Sequence, residues 1–446
     1  MKRHLANAGY GVLDYVSYPL GMLLVAPVVL HRLGAAEYGL WMISTAVISA
    51  GSIIASGCCD ACIQRVAHLR GSGEFHLMRK SVQSMLGINL LLGSAIAILV
   101  WIAAPLAAIH IAATSLIPIK ECAISLRISS VCILARSVES VGVGVRRAFE
   151  LYRGAVQIST AVRLLVLASA ATLALFGRRT PSILAATSAF LALSTFLQFG
   201  LPRKLLGSAV SWPRFHGAEV RALIGKGVFA WLQAAGGVVF SQFDRILLGV
   251  SLGALAVAPY SLCVQFSHPI FGLTASGLNF LFPYVSSRTD TIASSRMRRT
   301  LLKVFTCNLL LVACGAGFLL LLGGRLIRIW AGPAVALSAA PVLPPIVLGS
   351  ALMGLSVTGT YALQALGQFR TVAYISLAGK AAMLMVMIFL MHRQGLQGLA
   401  MARLYYGAVA LLVYLPLLRQ LNPVRKRKER VLPLTIPLEA QEGSKL

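Results

Sequence analysis

Windows of about 20 apolar residues, long enough at about 1.5 Å of helix per residue to cross the ~30 Å hydrocarbon core of a bilayer, recur twelve times along this chain. They run over 11–30, 39–59, 81–109, 122–145, 154–176, 182–201, 227–250, 258–285, 302–322, 337–358, 371–391 and 398–418. In lipid every backbone N–H and C=O must find its partner inside the segment, so windows of this length must be helices. The expected fold class is an all-α polytopic membrane protein with about 12 transmembrane helices. Composition agrees, with 58% hydrophobic and only 12% charged residues, against about 25% charged in soluble domains. The opening stretch, "MKRHLANAGYGVLDYVSYPLGMLLVAPVVLHRLG", has the basic flank of a signal peptide but no small-x-small cleavage site. It is read as a retained first span.

Lysine and arginine accumulate on the cytoplasmic side of membrane proteins. The N-terminus, the even-numbered connections and the C-terminal tail together hold 27 of them, counting Lys303 at the edge of its span, and the odd connections hold seven. Both termini are therefore expected in the cytoplasm, and the basic tail is expected to lie against anionic inner-leaflet lipid. The net charge of +27 would suggest nucleic acid in a soluble protein, but no solvated basic domain with stacking aromatics is visible, so no nucleic-acid partner is expected.

An internal repeat divides the chain. "RLGAAEY" at 32–38 is echoed by "SLGALAVAPY" at 251–260, and "IIASG" ending at Gly57 by "LTASG" ending at Gly277, at offsets of 219 and 220. A six-span unit begins and ends on the same side, so its copy keeps the same orientation and the halves form a parallel repeat. The expected domains are an N-terminal six-helix lobe at 1–202, a cytoplasmic inter-lobe linker at 203–226, a C-terminal six-helix lobe at 227–418 and a tail at 419–446.

Charges inside the spans are the functional signal. Six cations fall within them, Arg127, Arg136, Arg163, Arg245, Lys380 and Arg403, against the acids Asp14, Glu139 and Asp244, with Asp60 at an edge. A central charge costs about 2.5–3.5 kcal/mol to insert, so six facing lipid would cost roughly 15–20 kcal/mol. Arg127, Arg245 and Arg403 lie in the outer thirds of their spans, where they either snorkel to the headgroups or line a path. Arg136, Arg163 and Lys380 lie near the midplanes and are candidates to line a cavity. Arg136 and Glu139, three residues apart, share a helical face and either neutralise each other or act together. Asp244 and Arg245 are adjacent, about 100° apart on a helix, so each needs its own partner. The excess of cations points to an anionic cargo, and arginine offers phosphate a planar two-pronged donor set. Tyr18, Tyr361, Gln364, Tyr405 and Tyr406 suit sugars, or equally the membrane interface.

Other chemistries find little support. There is no Walker A loop, metal-ligand spacing or serine elbow, so no catalytic residue, metal or cofactor is expected. The odd-numbered connections, all about 15 residues or shorter, leave no room for the external domain of a membrane glycosyltransferase. "CDAC" at 59–62 lacks the second ligand pair of a zinc site, and the eight cysteines read as small packing residues.

Two parallel six-span halves of about 220 residues resemble the multidrug/oligosaccharidyl-lipid/polysaccharide exporter superfamily. "HRLGAAEYGLW" at 31–41, "FDRILLGVSLGALAVAPY" at 243–260 and "LNFLFPYVS" at 278–286 are similar to segments of its polysaccharide-transporter, O-antigen-flippase-like branch. One departure stands in the second span, where many relatives carry an acid two residues before the glycine and this chain has Ala55 before Gly57. The resemblance implies a V-shaped, alternating-access transporter in a bacterial inner membrane and no enzyme activity. Its partners would be membrane lipid, other polysaccharide-assembly proteins and the cargo, a polyprenyl-pyrophosphate-linked oligosaccharide. A monomer is expected. Arg136, Arg163, Lys380 and Arg245 are then the expected substrate contacts, and Asp244, Glu139 and Asp14 the expected coupling or gating acids. A cation-coupled multidrug exporter of the same superfamily is the competing expectation, weakened by the scarcity of buried acids.

Overall fold

Helix is the only regular structure among the described residues, as the bilayer argument requires. The computed structural model describes residues 2–56, 59–113, 115, 117–207, 210, 212–278, 281–286 and 294–421. For 2–20, 60, 152, 225–230, 232–236, 238–241, 282, 283, 286, 294, 295 and 421 it describes the backbone course alone. The helices are α1 (Lys2–Ala55), α2 (Cys59–Gly71), α3 (Phe75–Ala112), α4 (Ile119–Ala148), α5 (Tyr152–Leu175), α6 (Thr180–Leu206) and α7 (Gly217–Leu252). They continue with α8 (Ala254–Gly277), α9 (Leu281–Ser286), α10 (Ser294–Ala331), α11 (Pro333–Ala339), α12 (Leu343–Ala365), α13 (Phe369–Ala410) and α14 (Tyr414–Leu421). Eight stretches among the described residues are long and apolar enough to cross a membrane. Two helices each carry two of the expected spans, α1 broken at Gly34 and α13 broken at Gly395. The chain is a multi-pass, all-α membrane protein. The tail beyond Leu421 lies outside the described residues.

The sequence repeat has a backbone counterpart. At Gly34 the chain adopts φ +87° and ψ 169°, and at Gly253, its partner in the repeat, φ +81° and ψ 173°. Positive φ with extended ψ is open to glycine and nearly closed to other residues. Both copies of the Leu-Gly step therefore end a helix in the same way and start the next.

The "EYG" that follows Gly34 joins three elements. Helix α6 opens on Thr180-Pro181 without a capping side chain at Arg179. Glu37 supplies one from outside: its carboxylate accepts the Thr180 backbone N–H at 3.0 Å and the Thr180 hydroxyl at 2.6 Å, where the helix dipole favours negative charge. Tyr38 Oη accepts a hydrogen bond from Gln265 Nε2 of α8 at 3.0 Å. Gly39 lets the backbone at Ala254 approach so closely that a Cβ would collide with its carbonyl oxygen.

Indole N–H groups answer carbonyls that a helix leaves open. Leu23 C=O would normally bond the N–H four residues on, but that residue is Pro27, which has none; Trp330 Nε1 donates to it at 2.9 Å. Ile54 C=O lies in the last turn of α1, where carbonyls lack helical partners, and accepts from Trp231 Nε1 at 2.9 Å.

The chain forms two compact units. The first comprises Met1–Phe266, Leu319–Ile346 and Leu384–Ala402, and the second Ser267–Phe318, Val347–Met383 and Arg403–Leu446. In the second, Gly349 and Gly407 allow α12 and α13 to touch backbone to backbone: a Cβ on Gly407 would lie 2.6 Å from Gly349 O, the small-residue contact that drives helix association in lipid. Asn308 of α10 donates to Gly354 O and Thr358 Oγ1 of α12 at 3.0 and 3.1 Å.

In the first unit the segment before α7 is held against α3. Val210 is buried in a cluster with Met78, Val82 and Met85, Arg214 N–H donates to Gln83 O at 3.3 Å, and His216 N–H donates to Ser84 Oγ at 3.1 Å. Arg65 of α2 then clasps Glu219 of α7 with two hydrogen bonds of 3.2 and 2.9 Å. The Arg65 guanidinium holds the Glu219 carboxyl below its ordinary value of 4.5.

Gly39→Ala should lower stability by about 1–3 kcal/mol through overpacking, whereas Gly200→Ala, a helical glycine with open space around it, should be neutral or slightly stabilising; thermal unfolding in detergent compares the two. Because the folded carboxyl of Glu219 is depressed, the Arg65–Glu219 pair contributes fully above about pH 5 and is lost as pH falls through the lowered value. Glu219→Gln should therefore cost about 1.5–3 kcal/mol near neutrality and progressively less toward pH 4, read as the gap between wild-type and variant unfolding midpoints.

Candidate functional site

Helix α4 carries charges at both ends in the order its dipole favours, Glu121 in the first turn and Arg146 and Arg147 in the last. Its middle places Arg136 and Glu139 on one face, as the three-residue spacing requires. Their closest approach is 3.7 Å, with the arginine side chain 36% exposed and the glutamate 6%. That separation exceeds the about 2.7–2.9 Å of a hydrogen-bonded ion pair, so the contact is Coulombic rather than hydrogen-bonded. The other Glu139 oxygen accepts a hydrogen bond from Ser194 Oγ of α6. Glu139 is thus buried and oriented, while the Arg136 head group faces open space.

That space is a cavity of about 60 Å³. Helix α5 contributes Ser159 and, one turn on, Arg163, with Val162, Val166 and Leu167; α6 contributes Leu184, Thr187 and Leu191. The part of α1 after Gly34 contributes Trp41, Thr45 and Ser49, four residues apart on one face, and Ile48. Among the described residues the lining therefore holds two guanidiniums, one carboxylate, four hydroxyls and an apolar remainder.

The structure thus brings together Arg136, Arg163 and Glu139 of the residues the sequence singles out. Asp244 and Arg245 form a separate cluster. Asp244 is fully buried and accepts from Tyr260 Oη at 2.6 Å and from the Arg245 backbone N–H at 2.8 Å. Arg245 Nη1 lies 3.4 Å from Gln242 Oε1 on its own helix. Lys380 is half-buried on α13 in the second unit. Asp14 belongs to α1, but its side chain, like those of Asp60 and Tyr18, lies outside the described residues. Arg127 lies over the Trp101 ring at 5.3 Å, and Tyr361 Oη donates to Ala275 O at 3.0 Å. Among the described residues no group of three or more His, Cys, Asp or Glu is placed to hold a metal ion.

Sequence reasoning missed the hydroxyl lining and Ser194. Serine and threonine are common in membrane helices and bond their own backbone, so only proximity in space separates Ser194 from Ser169, whose hydroxyl bonds Val166 O. Trp41, Thr45 and Ser49 carried a usable signal in their four-residue period.

The chain matches a family model described as "Polysaccharide biosynthesis protein" over residues 7–288. No curated protein matches it in sequence. Among solved structures it is similar to a lipid II flippase, MurJ, in an inward closed conformation, with a TM-score of 0.73 at 14% identity over 92% of this chain and 87% of that one. It is also similar to an inward-facing multidrug resistance MATE family transporter of the MOP superfamily, with a TM-score of 0.70 at 11% identity over 93% and 99%. A MOP superfamily transporter from Pyrococcus furiosus, in which reverse polarity of the binding pocket suggests a different function, aligns with a TM-score of 0.53 at 11% identity over 93% and 95%. At these identities the likeness is one of fold.

Tyr260→Phe removes a hydroxyl donor from the buried Asp244 carboxylate. It should cost about 1–3 kcal/mol, read as a lower unfolding midpoint in detergent, while Tyr405→Phe, at an exposed ring, should change little.

Proposed function

The chain belongs to the polysaccharide biosynthesis protein family, and we propose that it is a flippase. It carries the head group of a polyprenyl-pyrophosphate-linked oligosaccharide from the cytoplasmic to the outer leaflet of a bacterial inner membrane while the lipid tail stays in the bilayer. The observation that carries this reading is the cavity in which Arg136 and Arg163 line the same space beside Glu139, the one carboxylate among the described lining residues. Guanidinium groups in a low-dielectric site attract phosphate and repel cations, and their fork geometry suits its oxygens. In this reading the two guanidiniums hold the phosphoryl part of the cargo. Lys380 and Arg245 are further cargo contacts in this reading, and Glu139, Asp244 and Asp14 the acids available for coupling or gating. The lysine and arginine asymmetry supports cytoplasmic termini. The protein moves its cargo without changing a covalent bond in it.

Multidrug export is the second reading, favoured by the fold shared with the MATE family transporter. Charge separates the two. A cationic drug needs buried acids, and residues 291–428, most of the second half, contain no aspartate or glutamate at all. The fold is likewise shared by a lipid II flippase, and in the Pyrococcus furiosus transporter a reversal of pocket polarity goes with a suggested difference in function.

In proteoliposomes holding a labelled polyprenyl-pyrophosphate oligosaccharide, wild-type protein should speed the exposure of inner-leaflet sugar to an added glycosidase. Arg136→Gln and Arg163→Gln should each slow it by about tenfold or more, the loss of one charge-assisted contact. No acceleration over empty liposomes, together with drug resistance conferred on a sensitive host, would replace this reading with multidrug export.

A further inference from the structure

We propose that the segment joining α6 to α7 is a lipid-binding surface, on which Trp212, Arg214, Phe215 and Arg221 hold the headgroups of anionic phospholipid at the end of the bilayer where α3 begins. The inference does not depend on what the protein carries.

Burial along α3 marks the depth of that surface. From Ser81 to Asn89 every residue of the helix is buried, since α2, α4 and α7 pack around it. Beyond that point its large apolar side chains open outward, with Leu91, Ile98, Leu99, Ile102, Leu106 and Ile109 all more than half exposed. Leu91 and Ile109 stand about 27 Å apart along the helix at 1.5 Å per residue, close to the ~30 Å of a hydrocarbon core. The edge of the hydrocarbon therefore falls near Leu91. Phe215 packs its ring against Gly87, where a Cβ would lie 3.0 Å from the ring carbons. Gly87 precedes Leu91 by one helical turn, about 6 Å. Headgroups fill a layer of about 5–7 Å on each side of the hydrocarbon, so Phe215 stands in that layer.

The side chains of the segment suit such a layer. Trp212 is 71% exposed and Phe215 60%, while the backbone around them is fixed, with Val210 buried, Arg214 N–H donating to Gln83 O and His216 N–H to Ser84 Oγ. Aromatic rings of this kind settle at the membrane interface, where one end is apolar and the other wet. The exposed charge has one sign. Arg214 and Arg221 are exposed, and Glu219, the one acid between residues 203 and 226, is buried and bonded twice to Arg65. On α7 the open face that carries Arg221 continues three residues on to Ile224, 42% exposed. Leu223 beside it is buried in the same cluster as Ile88 of α3. The open face thus passes from cation to apolar side chain as it reaches the level at which α3 becomes apolar outward. Anionic phospholipid meets both features at once, because its phosphate pairs with guanidinium and the upper part of its chains receives the rings.

The test is tryptophan quenching in the full-length protein held in phosphatidylcholine nanodiscs. Each sample is paired with Trp212→Phe, so that the difference reports Trp212 apart from the other tryptophans. The discs carry an equal mole fraction of one lipid brominated near the headgroup end of its chains, either phosphatidylglycerol or phosphatidylcholine. Both should quench the Trp212 signal, and acrylamide in the water should quench it little. Brominated phosphatidylglycerol should bind beside Trp212 more tightly by about fivefold for each arginine engaged, a preference that shrinks as salt is raised. The double variant Arg214→Gln with Arg221→Gln should bring the two lipids level while quenching by brominated phosphatidylcholine persists, which shows that the segment is still seated. Quenching by acrylamide without quenching by bromine places Trp212 in water, as a surface for a soluble protein would be, and overturns the proposal. Equal quenching by the two lipids in the wild type, or a phosphatidylglycerol preference that survives in the double variant, overturns it as well. No cargo is present in any arm, so the flippase reading stands or falls separately.

Discussion

A bilayer removes water as a partner for every polar atom in the spans, and the rest of this structure follows from that constraint. Hydrophobic burial supplies no drive between helices in lipid, so association depends on close backbone contact and on hydrogen bonds made between helices. Gly39 against Ala254 and Gly349 against Gly407 supply the first. Trp330 on the Leu23 carbonyl and Asn308 on Gly354 and Thr358 supply the second. Each of these donors meets an acceptor that would otherwise lie unsatisfied or partly satisfied in hydrocarbon, where an open polar group costs several kcal/mol.

The same constraint sorts the buried acids by how they are bonded. Glu37 is buried, and its carboxylate is spent on the Thr180 N–H and hydroxyl at the start of α6. Asp244 is buried, and both of its oxygens accept hydrogen bonds. Those two acids are held in place. Arg136, Glu139 and Arg163 differ because they line a polar space, and the Arg136–Glu139 pair stops short of hydrogen-bond distance. The loose ion pair thus stands beside a polar space, where the two held acids do not.

The spans were legible in the sequence because hydropathy over 20 residues averages away local accidents. The Gly34 and Gly253 repeat was legible because its backbone conformation admits little but glycine, so the residue type itself reports φ. Arg136 and Glu139 could be paired from sequence since helical geometry alone makes residues three apart neighbours. Arg163 could be placed only at a depth, as nothing in a single sequence says which way a helix is turned about its axis. Contacts such as Glu37 with Thr180, Arg65 with Glu219 and Ser194 with Glu139 join helices whose order in space no local pattern encodes. Their residue types are ordinary, and only the fold makes them partners.

Charge is distributed unevenly along a chain whose repeated Leu-Gly step bends alike in both copies. Gly34 and Gly253 bend alike, yet the first half holds Glu139 among its cations while residues 291–428 carry cations without a single acid. A stretch with no carboxylate can attract an anion but has no acid side chain with which to exchange a proton near neutral pH. The helix that carries Arg136 and Glu139 in loose contact holds both signs of charge side by side. Two copies of one backbone device thus sit in stretches of different charge.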